Sequence, residues 1–154
     1  MNIAYDNLIA HFDEHDWNYD ADSVRHLVRA GLRGRACSFD FVAVVDEEDD
    51  VFQVIAFVPV AIPEGCRAVI AETVARINYS LKIGKFEFEY DEGRLRYQVG
   101  QILVDSRLDD RIIHAAIGCC VSMVDRYLPA ILSVIYGNEL PKDAVCCAEA
   151  DLVT

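Results

Sequence analysis

Lys85-Phe86-Glu87-Phe88-Glu89-Tyr90-Asp91-Glu92-Gly93-Arg94-Leu95-Arg96-Tyr97-Gln98-Val99 is the stretch on which the fold turns. Phe86, Phe88 and Tyr90 alternate with Lys85, Glu87 and Glu89, while Leu95, Tyr97 and Val99 alternate with Arg94, Arg96 and Gln98. Successive side chains of a strand point to opposite faces, so each run buries one face and wets the other. A two-residue turn at Glu92-Gly93 pairs Tyr90 with Leu95, Glu89 with Arg96 and Phe88 with Tyr97. Apolar side chains then face apolar ones across the ladder, and charges oppose charges. One buried and one solvated face is the behaviour of an antiparallel sheet.

Upstream of the hairpin, Cys66, Val69, Ile70, Thr73, Val74, Ile77 and Leu81 fall at helical spacing, which predicts a helix over 66–81. Glu72 and Arg76 are an i, i+4 pair on its wet side, and Gly84 supplies a left-handed residue to close it. Pro59 and Pro63 separate this helix from two strands, 36–45 and Val51 to Val58, joined by the acidic run Asp46 to Asp50. Cys37, Phe39, Phe41, Ala43 and Val45 share one face of the first strand. Between Trp17 and Leu32 the pattern is mixed, with an alternation from Val24 to Gly31 that reads as a strand. Tyr5, Leu8, Ile9 and Phe12 form one stripe of a helix over 3–12, capped by Asn2.

Downstream, Asp109 to Gly137 is helical, with Ile113, Ile117, Cys120, Val124, Leu128, Ile131 and Ile135 near one stripe. Pro129 is expected to kink or divide this helix, because proline cannot donate to the preceding turn. A short helix from Pro141 to Cys147 follows, within a tail expected to be partly frayed from about residue 139. The fold class is therefore α+β: an antiparallel sheet with about three helices packed on it, in a single domain over 1–154.

The chain has 154 residues and 17.3 kDa, long enough to bury about 69% of its unfolded surface. Fourteen basic against 26 acidic residues leave a net charge of −12. Nucleic acid and anionic membrane are thereby disfavoured as partners, since both are bound through Lys and Arg. The opening residues show neither a basic region nor an apolar one, and the apolar stretch from Ile112 is interrupted by His114 and ends at Asp125-Arg126. No secretory signal or membrane span is expected. The six cysteines, Cys37, Cys66, Cys119, Cys120, Cys146 and Cys147, include two adjacent doublets rather than framework spacings, and read as reduced thiols of a cytoplasmic protein.

Pro63-Glu64, Ile77-Asn78, Ile83-Gly84-Lys85-Phe86-Glu87, Glu92-Gly93-Arg94-Leu95-Arg96-Tyr97, Asp125-Arg126-Tyr127-Leu128-Pro129-Ala130-Ile131 and Val134-Ile135-Tyr136-Gly137 form a series of motifs over about half the chain. In these the sequence resembles the YbjN family of bacterial sensory transduction regulators. The resemblance implies a fold like that of type III secretion chaperones, in which three helices pack on a twisted antiparallel sheet and which often dimerise. It also implies a role in binding and regulation, with no agreed catalytic residues to carry over. A homodimer and another protein as partner are the expectations that follow.

Candidate chemistry is thin. His114, Cys119 and Cys120 share one helix, but five and six residues separate the imidazole from the thiols, so they lie on different faces. A reactive thiol also needs a cation or helix N-terminus to stabilise its anion. The alternative to a binding module is a thiol-based redox sensor or enzyme using Cys119 and Cys120 or the tail doublet Cys146 and Cys147. No metal or other cofactor is expected: His11 and His15 stand at i, i+4 with no partner of matching geometry, and read as a solvated helix end. Asp46-Glu47-Glu48-Asp49-Asp50 lacks the glycine and terminal glutamate of a calcium loop, and reads as a charged hairpin tip guarding against edge pairing. Gly31-Leu32-Arg33-Gly34 lacks the Lys-Ser/Thr of a phosphate loop. Glu87 and Glu89 share a strand face with Lys85, Arg94 and Arg96, a neutralised surface rather than a general-acid pocket. A third reading is acidic mimicry of nucleic acid, the N-terminal carboxylates and the 46–50 run competing for a basic protein, which requires them to line one face.

The leading expectation is a non-enzymatic protein-binding module, chaperone-like or a regulatory adaptor, that offers an apolar patch or an open sheet edge.

Overall fold

The computed structural model describes residues 2–150. Helix α1 spans Ile3–Glu14, and the Asn2 side chain caps it by accepting the Tyr5 N–H at 3.0 Å. Four strands follow: β1 (Tyr19–Asp22), β2 (Leu27–Arg33), β3 (Ser38–Asp46) and β4 (Val51–Phe57). A 3-10 turn at Glu64–Cys66 leads into α2 (Arg67–Ser80), then β5 (Lys85–Glu89), β6 (Arg94–Ile102), α3 (Asp110–Tyr136) and α4 (Pro141–Glu149). The strands form a six-stranded sheet in the order β1-β2-β3-β4-β6-β5, antiparallel at every step.

This is the α+β architecture expected, with more elements. The mixed stretch before Leu32 is a hairpin rather than one strand. Its turn is built by Asp22, whose carboxylate accepts the N–H groups of Val24 and Arg25, with His26 at positive φ. The short helix expected from Pro141 to Cys147 is α4, two residues longer and packed on α3 and α2, while 151–154, where the tail was expected to fray, lie outside the described residues.

Phe39, Phe41, Ala43 and Val45 of β3, Phe52, Val54 and Ala56 of β4, and Leu95, Tyr97 and Val99 of β6 are all buried on one sheet face. Against them lie Leu8 and Phe12 of α1, Ile70 and Ile77 of α2, and Ile113, Ile117, Cys120, Val124 and Ile131 of α3. Burial on this scale is the main favourable term, on the order of 1.5–3 kcal/mol per large apolar side chain. The other face carries Val42, Val44 and Ile55, only half-buried, among Arg29, Asp40, Arg96 and Glu87.

Three local expectations change. The β5–β6 register is Phe86 with Tyr97, Glu87 with Arg96 and Phe88 with Leu95, two residues from the expected pairing. Tyr90 to Gly93 form a four-residue connection in which Gly93, at φ +71°, donates its N–H to the Glu89 carbonyl at 2.9 Å. A slip of two preserves both faces, so a glutamate still meets Arg96, but it is Glu87, at 2.7 Å, in place of Glu89. Gly84 does not close α2, which ends four residues earlier at Ser80. At φ +70° it leads instead into β5, where a β-carbon would stand 2.1 Å from the Tyr97 hydroxyl. Finally, Pro129 lies inside an unbroken α3. The one donor it removes is offset by the burial of Tyr127, Leu128, Ala130 and Ile131 around it. At 27 residues, about 40 Å, α3 is long and apolar enough to cross a membrane, contrary to the sequence reading, but here its apolar stripe is the lid of the sheet.

A candidate protein-binding groove

The foot of α3 does not seal the sheet. Where α2 has ended, α3 and β6 diverge around a groove of about 400 Å³. Its walls are Ile83, Val99, Ile112, Ala115, Ala116 and Cys119, with Phe52 beneath. Small residues at 115 and 116 keep the helix side low, and the turn at Ile83, 57% exposed, forms the opposite lip. Past the end of β6 Val104 is 71% exposed, while Ile102 turns to the opposite sheet face with Arg96 and Gln98.

One end of the groove gathers carboxylates, with Arg111 among them on the groove wall. The Leu103 N–H donates to the Asp50 carbonyl at 2.7 Å, and the Ser106 hydroxyl to the Asp50 carboxylate at 3.4 Å. These bonds hold the Asp46–Asp50 tip beside the segment carrying Asp105 and Asp109, and Asp109 itself lines the groove. Asp46 is engaged locally: its carboxylate accepts the N–H groups of Glu48 and Asp49, the arrangement of a hairpin tip.

The thiols divide by environment. Cys119 is half-buried at the groove floor, its sulfur 3.2 Å from the Tyr97 hydroxyl. Cys120, one position on, turns into the core toward the Val54 carbonyl, and burial pushes it up to about 12. Burial and the adjacent Asp125 raise Cys37 as well. Cys146 and Cys147 are exposed on α4. His114 is not brought to either helix cysteine; its ring lies with His11 and His15, centroids 6.5 and 6.4 Å away.

The histidine pair departs most from expectation. His11 is 2% exposed rather than solvated, and its Nδ1 is hydrogen-bonded to Asp110, a third partner supplied from the start of α3. That bond holds the Asp110 carboxyl below the usual carboxylate range. On β5, Glu87 is paired with Arg96 and with Lys85 at 3.4 Å, and Glu89 accepts the Glu92 N–H, so neither is a pocket acid. Gly31 lies inside β2, and Gly34 abuts Asp125, whose carboxylate accepts the N–H groups of Arg35 and Ala36 at 2.9 Å. That contact explains an aspartate at 125 structurally. A wider depression between the β2–β3 turn and α3 is lined by both signs of charge, including Arg35, Arg126, Asp125 and Glu139.

Among curated proteins, none matches the chain in sequence. Several solved structures share the fold, three of which follow. YbjN from E. coli, described as "a putative transcription regulator", is 12% identical with a TM-score of 0.57, over 80% of this chain and 91% of that one. A chain of the HopA1–SchA chaperone–effector complex is 9% identical with a TM-score of 0.53, over 80% and 92%. A chain of the ExsC–ExsE complex is 13% identical with a TM-score of 0.53, over 82% and 94%. The fold is thus α+β of the type III secretion chaperone kind. The family model YbjN, "Putative bacterial sensory transduction regulator", matches residues 4–133, and the chain belongs to that family.

Proposed function

We propose that the protein is a non-enzymatic binding module of the cytoplasm, acting as a homodimer, which holds a segment of another protein in the groove between β6 and α3. The partner segment carries apolar side chains flanked by basic ones. The single observation behind this reading is that an aliphatic groove, walled by Ile83, Ile112, Ala115 and Ala116, opens at one end onto Asp46–Asp50, Asp105 and Asp109, carboxylates that outnumber the one lining cation, Arg111. Apolar contact supplies affinity, and complementary charge supplies approach and register. The family's regulatory description and the fold shared with a chaperone–effector complex support the same reading.

Thiol chemistry is the weaker reading. Cys120 is held neutral by burial, and Cys119 faces a hydroxyl rather than a cation.

The test is quantitative capture of partners from the native cytoplasm by the wild type, by Ala116→Glu, which places a carboxylate in the groove, and by Ile55→Glu on the opposite sheet face. One recurrent partner, lost with Ala116→Glu and kept with Ile55→Glu, is the expected result. Equal recovery by both variants overturns the groove. Light scattering on the same samples should give twice 17.3 kDa; a value of 17.3 kDa overturns the dimer.

A further inference from the structure

Three of the chain's four histidines meet at one place, the junction of α1 with the start of α3. His11 and His15 are one helical turn apart, their ring centroids separated by 4.3 Å. One ligand atom from each of His11, His15 and Asp110 lies within 4.8 Å of the others. The His114 ring stands 6.4 Å from that of His15, centroid to centroid.

The hydrogen bonds already set the rings. A carboxylate and a backbone carbonyl can only accept, so His11 Nδ1 donates to Asp110 and His15 Nδ1 donates to the His11 carbonyl, at 2.8 Å. Each neutral ring therefore keeps an unprotonated Nε2. A hydrogen bond from the other ring nitrogen fixes tautomer and orientation in histidine metal ligands. The Asn7 side chain donates to the Leu108 carbonyl at 3.0 Å, holding the two elements together beside the cluster. The α3 N-terminus opposes a cation by roughly half a charge, which the carboxylates of Asp109 and Asp110 more than offset.

We propose that His11, His15 and Asp110 form a binding site for a divalent first-row transition cation, best suited to Zn²⁺, with His114 or water as fourth ligand. Imidazole nitrogen with one carboxylate favours such metals over Ca²⁺ or Mg²⁺, which take oxygen sets. Where Asp110 ligates directly, it gives up its hydrogen bond to His11, and the ring keeps its Nδ1 proton, then donated to water, while Nε2 takes the metal. The ion then fastens α1 to α3, which no disulfide or other covalent link does among the described residues.

The test uses the full chain in a Cys146→Ser, Cys147→Ser background, which removes the exposed thiols as competing ligands. Zinc chloride is titrated calorimetrically, and Co²⁺ absorption reports coordination number. Expected are one equivalent of Zn²⁺, a tetrahedral Co²⁺ spectrum, a raised melting temperature with Zn²⁺, and binding at least tenfold weaker in His15→Ala. His15 is exposed, so that variant should fold, which circular dichroism checks. Absence of saturable binding, or binding unaltered by His15→Ala, overturns the site.

Discussion

Asn78, near the end of α2, clasps the backbone of Phe86 in β5 with two hydrogen bonds. Its Nδ2 donates to the Phe86 carbonyl at 2.9 Å, and its Oδ1 accepts the Phe86 N–H at 2.8 Å. β5 is an edge strand, so these groups have no strand partner on that side, and one side chain supplies both bonds. The clasp also fixes where the chain turns through Ile83 and Gly84, and so where the groove's lip stands.

Asn78→Ala should cost about 1–3 kcal/mol, because the Phe86 amide and carbonyl lose their partners in a part-buried setting. Urea unfolding measures the loss, and amide exchange should locate it at Phe86. A loss below about 0.5 kcal/mol would show that water replaces the clasp.

Two glycines should respond oppositely to alanine. Gly84 has φ +70°, and a β-carbon there would meet the Tyr97 hydroxyl at 2.1 Å and the Gln98 carbonyl at 2.7 Å. Gly84→Ala should therefore cost about 2 kcal/mol or more. Gly118 lies inside α3 with nothing within 4 Å of its added carbon, so Gly118→Ala should stabilise by about 0.5–1 kcal/mol. Melting temperatures of the two variants on opposite sides of the wild type are the expected result.

The hairpin around Gly93 was legible because alternation survives a register shift; the pairing itself was not. Period two fixes which face each residue occupies, but the four-residue connection from Tyr90 to Gly93 sets the register, and its backbone leaves little trace in side-chain pattern. The β1–β2 turn leaves little trace for a related reason: it is made by Asp22 accepting two amides, and β1 beside it has only four residues, two of them aspartates. Helices α2 and α3 were readable from their stripes. For the groove, Ala115, Ala116 and Ile83 carry no local sign of it, since it exists only where two distant elements diverge. Likewise the His11–His15 spacing was visible, but Asp110 arrives from 99 residues away.

Alkaline pH should destabilise the protein earlier than exposed groups would. Burial, followed by the neighbouring Cys119, raises Cys120 from 9.0 to about 12. Burial and the Glu149 hydrogen bond raise Tyr127 from 10.0 to about 12. Both are neutral when protonated, so the unfolded chain releases these protons first. Their contribution is complete below pH 9.0 and is lost as pH climbs through the interval to about 12. Cys120→Ala should flatten the decline of urea midpoint above pH 9.0, while lowering stability at neutral pH by about 1 kcal/mol. A parallel decline in both proteins would remove Cys120 from the explanation.

Alkylation near neutral pH should follow the same environments. Cys146 and Cys147 should react first and Cys120 only on unfolding. Mass mapping after timed iodoacetamide treatment resolves the order, and rapid labelling of Cys120 in the folded protein would revive thiol chemistry on α3.

The groove itself is tested most directly by site-specific photo-crosslinking in living cells from Ala115, with Gln53 on the opposite sheet face as reference. A discrete partner cross-linked from Ala115, through a peptide bearing apolar and basic residues, and not from Gln53, is the predicted result. Cross-links of equal yield from both positions, or none from Ala115, would contradict a partner held between β6 and α3.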